Sequence, residues 1–180
     1  WTIAESQSSW DLVTVNPSLI MGPAIGGRPT SESFAIMRSV GQGDFRRGAP
    51  RIAMGFVDVR DVARAHLAAG YTPGARGRHI ISGLNSNMFD AVHLLQPRFG
   101  KDYPLPTRAI PKWLVWLLAP AVGLTRRSVA GNVDVPFKLD NSKSLQELGL
   151  TYRPLRESME DMFQYMIDEG YFTAAPKARA

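Results

Sequence analysis

The 180-residue sequence contains no cysteine. This absence excludes disulfides, thiolate metal sites and cysteine nucleophiles, and it suits a reducing compartment, so we expect a cytoplasmic protein. A long apolar run is also missing. The most apolar window, 110–124, contains Pro111, Lys112 and Pro120, and it falls short of the ~20 apolar residues that a bilayer span needs. We therefore predict no membrane-spanning segment and no membrane partner.

Basic residues exceed acidic ones, 21 against 16, which gives a formal net charge of +5. The excess is dispersed, and its densest pairs are Arg46-Arg47 and Arg126-Arg127. Nucleic-acid surfaces need clustered cations, so the charge pattern predicts a solvated surface and no nucleic-acid partner. The histidines lack metal-binding spacing and predict no metal site; they are His66, His79 and His93.

The sequence at each end of the chain predicts a local structure. Residues 1–5 are typical of the middle of a helix, with no basic region or small-residue cleavage site, so they do not predict a signal peptide. Residues 173–180 are predicted to form a disordered tail, which leaves 1–172 as the structural unit.

Two segments predict β-strands. Leu12–Val15 is a short apolar, β-branched run that ends at Asn16-Pro17, and Arg78–Ser82 is the second. Strands that alternate with helical patterns predict an α/β fold with a parallel sheet. We expect these strands to be parallel but not hydrogen-bonded to each other, unless the rest of the domain has reorganised. Two such strands cannot bury a sheet alone, so the sequence predicts part of a domain.

The clearest helix start is at Asp58, which is expected to cap the helix that follows and to contribute about 1 kcal/mol. The segment before it, Gly43 to Gly55, is predicted to be a loop. Helical spacing predicts further helices from Phe34 to Val40, from Met88 up to a stop at Pro97, over Trp113 to Leu118, after a cap at Asp140 or Asn141, and from Leu155 to Ile167.

No catalytic residue is predicted from a motif. The sequence has no Gly-x-Ser-x-Gly elbow. Gly70, Gly74 and Gly77 have the spacing of a dinucleotide loop, but they follow a helix and precede a strand. That order is the reverse of the one that directs amide groups at a pyrophosphate, so it predicts a helix end and a turn.

Four segments, taken in order, resemble a known family. They are Asn16–Pro23, Phe56–His66, Gly77–Ser82 and the motifs within 140–154. Together they resemble extended short-chain dehydrogenases/reductases of the dihydroflavonol reductase and cinnamoyl-CoA reductase type, in the NAD-dependent epimerase/dehydratase superfamily. The resemblance implies the C-terminal half of such an enzyme. Its fold would be the C-terminal part of a Rossmann-type doubly wound parallel sheet plus a mainly helical substrate-binding region, without the N-terminal half that carries the phosphate-binding loop.

The resemblance also implies an activity. The intact protein would reduce a ketone or aldehyde, with an apolar small-molecule substrate and NADP(H) rather than NAD(H). In this family a Tyr-x-x-x-Lys pair does the chemistry, and no tyrosine here has a lysine four residues later, so the fragment alone is expected to be inactive. Its partners would be the missing N-terminal half and, in one arrangement, a second copy in a homodimer. Two alternatives stay open: a nucleotide-sugar epimerase or dehydratase, and a non-catalytic NAD(P)-sensing module.

The family positions that bind the cofactor match Pro17, Ser18, Leu19 and Ser33, although an indel makes Ser31 nearly as good a match as Ser33. Because Pro17 lacks an N–H, we expect it to end the strand pairing and to free the amides of Ser18 and Leu19 at the carboxyl end of the strand.

Apolar residues in or beside irregular segments are predicted to line the substrate pocket, with ordinary core packing as the alternative; they are Met21, Ile25, Phe34, Met37 and Met54. The alternative sugar-nucleotide substrate would instead use the cations Arg28, Arg38, Arg46 and Arg51. The string from Val57 to Ala63 is expected to be structural.

Overall fold

The computed structural model describes residues 1–27 and 29–172. The predicted tail, 173–180, and Arg28 lie outside the described residues. The strands are β1 Val13–Pro17, β2 Leu19–Met21, β3 Ala49–Pro50, β4 Ala53–Asp58, β5 Gly77–Ile81, β6 Leu84–Asn87 and β7 Ala109–Ile110. The helices are α1 Thr2–Glu5, α2 Glu32–Gln42, α3 Val59–Tyr71, α4 Met88–His93, α5 Gln96–Phe99, α6 Lys112–Leu118, α7 Arg126–Asn132, α8 Ser142–Glu147 and α9 Leu155–Asp168, with a 3-10 turn at Ala119–Val122.

The two predicted strands are direct neighbours. β1 and β5 are parallel, with Val13 opposite Gly77 and Pro17 opposite Ile81. The predicted parallel orientation is therefore confirmed, whereas the prediction that the strands are not hydrogen-bonded to each other is wrong. The reason is that β4, which lies between them in sequence, pairs with β2 and not with β1, so α3 returns the chain beside β1.

A second sheet has the order β2-β4-β6, in which β2 and β4 are parallel and β4 and β6 antiparallel. The predicted loop before Asp58 is wrong in its second half, because it contains β3 and β4 begins at Ala53. Gly55 and Pro50 obscure the strand pattern there. β4 is nonetheless a central strand, with Phe56 in one apolar cluster and Val57 in another. Burial of neighbouring residues in separate clusters means that helices cover both faces of this sheet.

The larger cluster lies on α9, as the sequence predicts. The apolar side chains that α9 buries are Leu155, Met159, Met162, Phe163 and Met166. They pack with α2, α4 and strands β2 and β4. The second cluster joins α3 and the segment after α8 to β1 and β5.

Several helix ends differ from the prediction. α2 continues through Gly41 and stops at Gly43, which has a positive φ of 86° that favours glycine. Pro97 does not stop the helix that starts at Met88, since α4 already ends at His93 and the proline lies in the first turn of α5. Gly70 lies at the end of α3, Gly74 in the turn that follows and Gly77 at the start of β5, in agreement with the predicted helix end and turn.

Residues 110–133 form a helical hairpin, in which α6 and α7 pack against each other through the 3-10 turn. Its own small core consists of Val115, Ala119, Val129 and Val133. Within the described part of the chain, every helix is too short or too polar to cross a bilayer.

Candidate functional site

The chain changes strand partners at Ser18. β1 pairs with β5 up to Pro17, and one residue later Leu19 begins the pairing of β2 with β4. The Ser18 N–H donates a hydrogen bond to the Ile81 carbonyl oxygen at 3.0 Å. Pro17 therefore does not end the pairing, and the prediction that the Ser18 amide is free is wrong. A proline is tolerated here because it only removes one donor, while the chain continues into the next sheet.

Three residues, Gly55, Ser82 and Ser18, pack tightly against one another at this strand switch. A Cβ on Gly55 would lie 2.6 Å from Ser82 Oγ and 2.9 Å from Ser18 Cβ, so only glycine fits without a shift. Ser82 Oγ is buried and has no hydrogen-bond partner among the described residues. Unpartnered buried hydroxyls are rare. This one lies at the carboxyl end of β5, the edge where α/β sheets bind ligands.

Two asparagine side chains connect this edge of the sheet to the segment 139–141 by hydrogen bonds. Asn141 Nδ2 donates to the Ser82 carbonyl oxygen at 2.6 Å, and Asn85 exchanges hydrogen bonds of 3.0 and 2.9 Å with the backbone of Leu139. Asn141 occupies the predicted N-cap position of α8 without a side-chain cap bond, and Asp140, one residue before it, accepts a hydrogen bond from the Ser142 N–H at 2.9 Å. The contacts of Asn85 and Asn141 connect residues far apart in sequence, and no local pattern indicates them.

Three of the predicted pocket residues meet. Met21, Met37 and Met54 line one apolar cavity of about 20 Å³ between β2, β4 and the helices. A space of this size holds about one water molecule, so it is a packing gap as it stands. Phe34 lies apart from it, with its ring centroid 6.1 Å from that of Tyr165, and Ile25 is fully exposed on a loop.

Ser31 and Ser33, at the start of α2, differ in their exposure to solvent. Ser33 is buried in the first turn of α2, and Ser31 is exposed at the N-cap position. Their hydroxyl oxygens share a hydrogen bond of 3.1 Å. Ser31 is therefore the one of the two that solvent reaches.

Three of the tyrosines lack the environment of a proton donor. Burial is the largest cause that raises the pKa of Tyr103, Tyr152 and Tyr165 above the ordinary tyrosine value. A tyrosine that relays a proton near neutral pH needs the opposite shift, which a neighbouring cation would give. Within residues 1–27 and 29–172, no three His, Asp or Glu side chains are grouped to hold a metal ion.

Asp58 is the most fully engaged carboxylate. Its Oδ1 accepts the Arg60 N–H at 2.8 Å, which confirms the predicted cap, and the Arg60 guanidinium donates two further bonds of 2.8 Å. Burial raises the pKa of Asp58, but the hydrogen bonds from Arg60 and Ser158 outweigh it and leave the pKa below its usual value. Arg60 also pairs with Asp161 on α9 at 2.9 Å. These contacts join α3 to α9, as expected of a structural residue.

Comparisons with known proteins agree with the fold. No protein-family model matches the chain. The chain is 27% identical to cinnamoyl-CoA reductase 1 of Petunia hybrida over 161 residues, which cover 89% of this chain and 42% of that protein. It is 34% identical to tetraketide alpha-pyrone reductase 2 of Arabidopsis thaliana over 112 residues, covering 62% and 34%. A yeast methylglyoxal/isovaleraldehyde reductase solved with NADPH superposes with a TM-score of 0.61 at 24% identity, covering 94% of this chain and 51% of that one.

The chain therefore has the fold of Rossmann-type reductase structures, with parallel strands covered by helices on both faces. Its sequence relatives are oxidoreductases, and they confirm the predicted resemblance to cinnamoyl-CoA reductases in the short-chain dehydrogenase/reductase superfamily. The chain spans about half the length of the relatives it matches, or less.

Proposed function

We propose that this chain is the C-terminal half of an NADP(H)-dependent reductase that acts on an apolar ketone or aldehyde. The observation that carries the proposal is the alignment of 89% of the chain with a cinnamoyl-CoA reductase. The superposition on a yeast reductase solved with NADPH supports NADP(H) as the cofactor. That cofactor would supply the hydride, and the protein would supply binding and orientation.

The strand switch at Ser18 would face the nicotinamide end of the cofactor. It lies at the carboxyl ends of β1 and β5, where the sheet changes partners, and ligands of α/β proteins bind at such points. Since the Ser18 amide is occupied, the groups left for this contact are the backbone beyond it and the Ser18 hydroxyl, whose bond to the Ile81 carbonyl oxygen is long at 3.5 Å. Toward the phosphates, the exposed Ser31 fits better than the buried Ser33.

The methionines around the small cavity would form the apolar wall of the substrate pocket. Met21, Met37 and Met54 are unbranched and adaptable, so a modest rearrangement of their side chains would enlarge the space. Such a wall would exclude water and favour an apolar substrate. Phe34 belongs to the core in this arrangement.

Proton transfer and phosphate binding would come from the other half of the enzyme. The chain has no Tyr-x-x-x-Lys pair and no strand–glycine loop–helix. Two or three hydrogen bonds at ~1 kcal/mol each do not offset the cost of immobilising a ligand. We therefore expect the 180-residue chain to bind NADPH no more tightly than about the millimolar range.

The full reading frame that encodes this sequence tests the proposal. We expect it to contain a glycine-rich loop after its first strand and a Tyr-x-x-x-Lys pair upstream of Trp1. The expressed protein should oxidise NADPH in the presence of aromatic aldehydes or ketones, and a variant with that tyrosine changed to phenylalanine should not. A reading frame without both motifs would overturn the proposal. For the fragment, micromolar binding of NADPH or NADH in calorimetry would contradict the division of roles.

A further inference from the structure

We propose that the helical hairpin docks on the surface of an anionic lipid bilayer. Six large apolar side chains of this hairpin are exposed, with exposed fractions from 38% to 67%. We call this set the hairpin face; it consists of Trp113, Trp116, Leu117, Leu118, Val122 and Leu124. Single exposed apolar residues are ordinary on protein surfaces, but a cluster of this kind marks an interaction site.

The hairpin face follows from the geometry of α6. Trp113, Trp116 and Leu117 are spaced by three and four residues, so they lie on one side of the helix. Val115 points the other way and is buried in the hairpin core. That core already has its own apolar residues, so the hairpin face is not left over from the packing of α6 against α7. The other half of the proposed enzyme is a competing occupant, and if it covered this face the full-length protein would not bind vesicles.

The sequence of the hairpin itself carries charge of one sign, and the acidic residue next to it in sequence, Asp134, follows it directly. From Tyr103 to Val133 the sequence has no Asp or Glu, and it has four cations. Arg126 and Arg127 are both exposed at the start of α7, and the Arg126 guanidinium carbon lies 4.4 Å from the centroid of a Trp116 ring. Tryptophan rings favour the bilayer interface, and adjacent cations attract anionic headgroups.

A surface position agrees with the lengths of the helices. α6 spans only Lys112–Leu118, so it would lie in the plane of the membrane, with its apolar side chains about 5–10 Å deep. A helix of this length lies on a bilayer and does not cross it. An anionic membrane would then be a partner of this chain, contrary to the prediction from the sequence.

A second copy of the chain is a weaker candidate for the same face. In a symmetric dimer the hairpin face would meet itself, which would bring Arg126 and Arg127 near the same residues of the other copy. Like charges placed together disfavour such an interface. An anionic membrane instead offers charges of opposite sign to these cations.

Vesicle flotation of the 180-residue chain tests the proposal. Vesicles of phosphatidylcholine with phosphatidylglycerol should bind the chain at least about tenfold better than phosphatidylcholine alone, and added salt should weaken this binding. The double variant Arg126→Gln/Arg127→Gln should lose about thirtyfold in binding, since each cation near the surface contributes about fivefold. The matched control is Arg46→Gln/Arg47→Gln, an exposed arginine pair outside the hairpin, which should bind like the unmodified chain.

A second pair of variants tests the apolar side chains of the hairpin face. Leu117→Glu should abolish flotation with anionic vesicles, whereas Leu67→Glu on α3 should not, although the two leucines are similarly exposed, 54% and 62%. Both variants should unfold at the same urea concentration as the unmodified chain, because neither leucine is in a core.

Three results would overturn the proposal. The first is a failure to float with anionic vesicles, either of the chain or of the full-length protein that the complete reading frame encodes. The second is an equal loss of binding in Leu67→Glu and Leu117→Glu. The third is a lipid-free dimer, seen by analytical ultracentrifugation, that Leu117→Glu dissociates, because the hairpin face would then be an interface between copies.

Discussion

Helices α9 and α6 are both rich in apolar residues, yet they use them differently. α9 buries five large apolar side chains, and its outer face carries ion pairs such as Arg156 with Glu160 at 3.5 Å. α6 buries Val115 and exposes both of its tryptophans. An apolar stripe that is matched within the chain stabilises the fold, and one that is not matched marks a surface for something else. The stability of this protein should therefore depend on α9 far more than on the hairpin.

The largest expected effect is at Phe163. This side chain is fully buried on α9, with its ring centroid 4.8 Å from that of Phe99 and 5.2 Å from that of Tyr103. Phe163→Ala should lower the free energy of unfolding by about 3–5 kcal/mol, because it removes buried area and leaves a cavity. Trp113→Ala on the hairpin should change it by less than about 1 kcal/mol. Urea unfolding measures both, and equal losses would remove the contrast between the two helices.

Asp58 should give the next largest effect. A helix cap alone predicts a loss of about 1 kcal/mol for Asp58→Ala. The structure adds the Arg60 guanidinium, which would lose its buried partner, so we expect about 3 kcal/mol by urea unfolding. Asp140→Ala is the control, since this exposed carboxylate also accepts a backbone N–H at the start of a helix but has no arginine partner among the described residues, and its effect should be smaller. Losses of the same size would mean that the pair with Arg60 contributes nothing.

The cap at Asp58 could be predicted from the sequence, whereas the ion pair that adds to it could not. The cap at Asp58 and the buried face of α9 follow from local spacing, and the structure confirms both. The contact of Arg60 with Asp161 and the strand switch at Ser18 depend on residues distant in sequence. β4 was missed for the same reason: Gly55 weakens the local strand pattern, and only its packing against Ser18 and Ser82 explains why a glycine is there.

The Asp58 contribution should also depend on pH. The folded protein holds the pKa of Asp58 below its ordinary value of 3.8. A carboxylate with a lowered folded pKa stabilises the fold above the unfolded pKa, and this stability is lost as the pH falls through the folded pKa. The difference in unfolding free energy between the unmodified chain and Asp58→Asn should therefore be constant above about pH 5 and shrink below about pH 4. A difference that grows on acidification would contradict the assignment.

The smallest expected effect is in the hairpin, at the cap of α7. The Thr125 hydroxyl accepts the Ser128 N–H at 3.0 Å and so caps α7. Thr125→Ala should cost α7 about 1 kcal/mol, which corresponds to about fivefold faster hydrogen exchange of its amides. The hairpin core is small and is joined to the rest mainly through Ile52 and Ile110. We therefore expect this loss to stay local and to leave the urea midpoint of the whole chain unchanged. Asn87→Ala is the matched cap variant in the larger core, where Asn87 Oδ1 accepts the Asp90 N–H at 2.9 Å, and it should lower the urea midpoint. If Thr125→Ala lowered the midpoint as much, the hairpin would unfold together with the rest of the chain, and the separation between the two regions would fail.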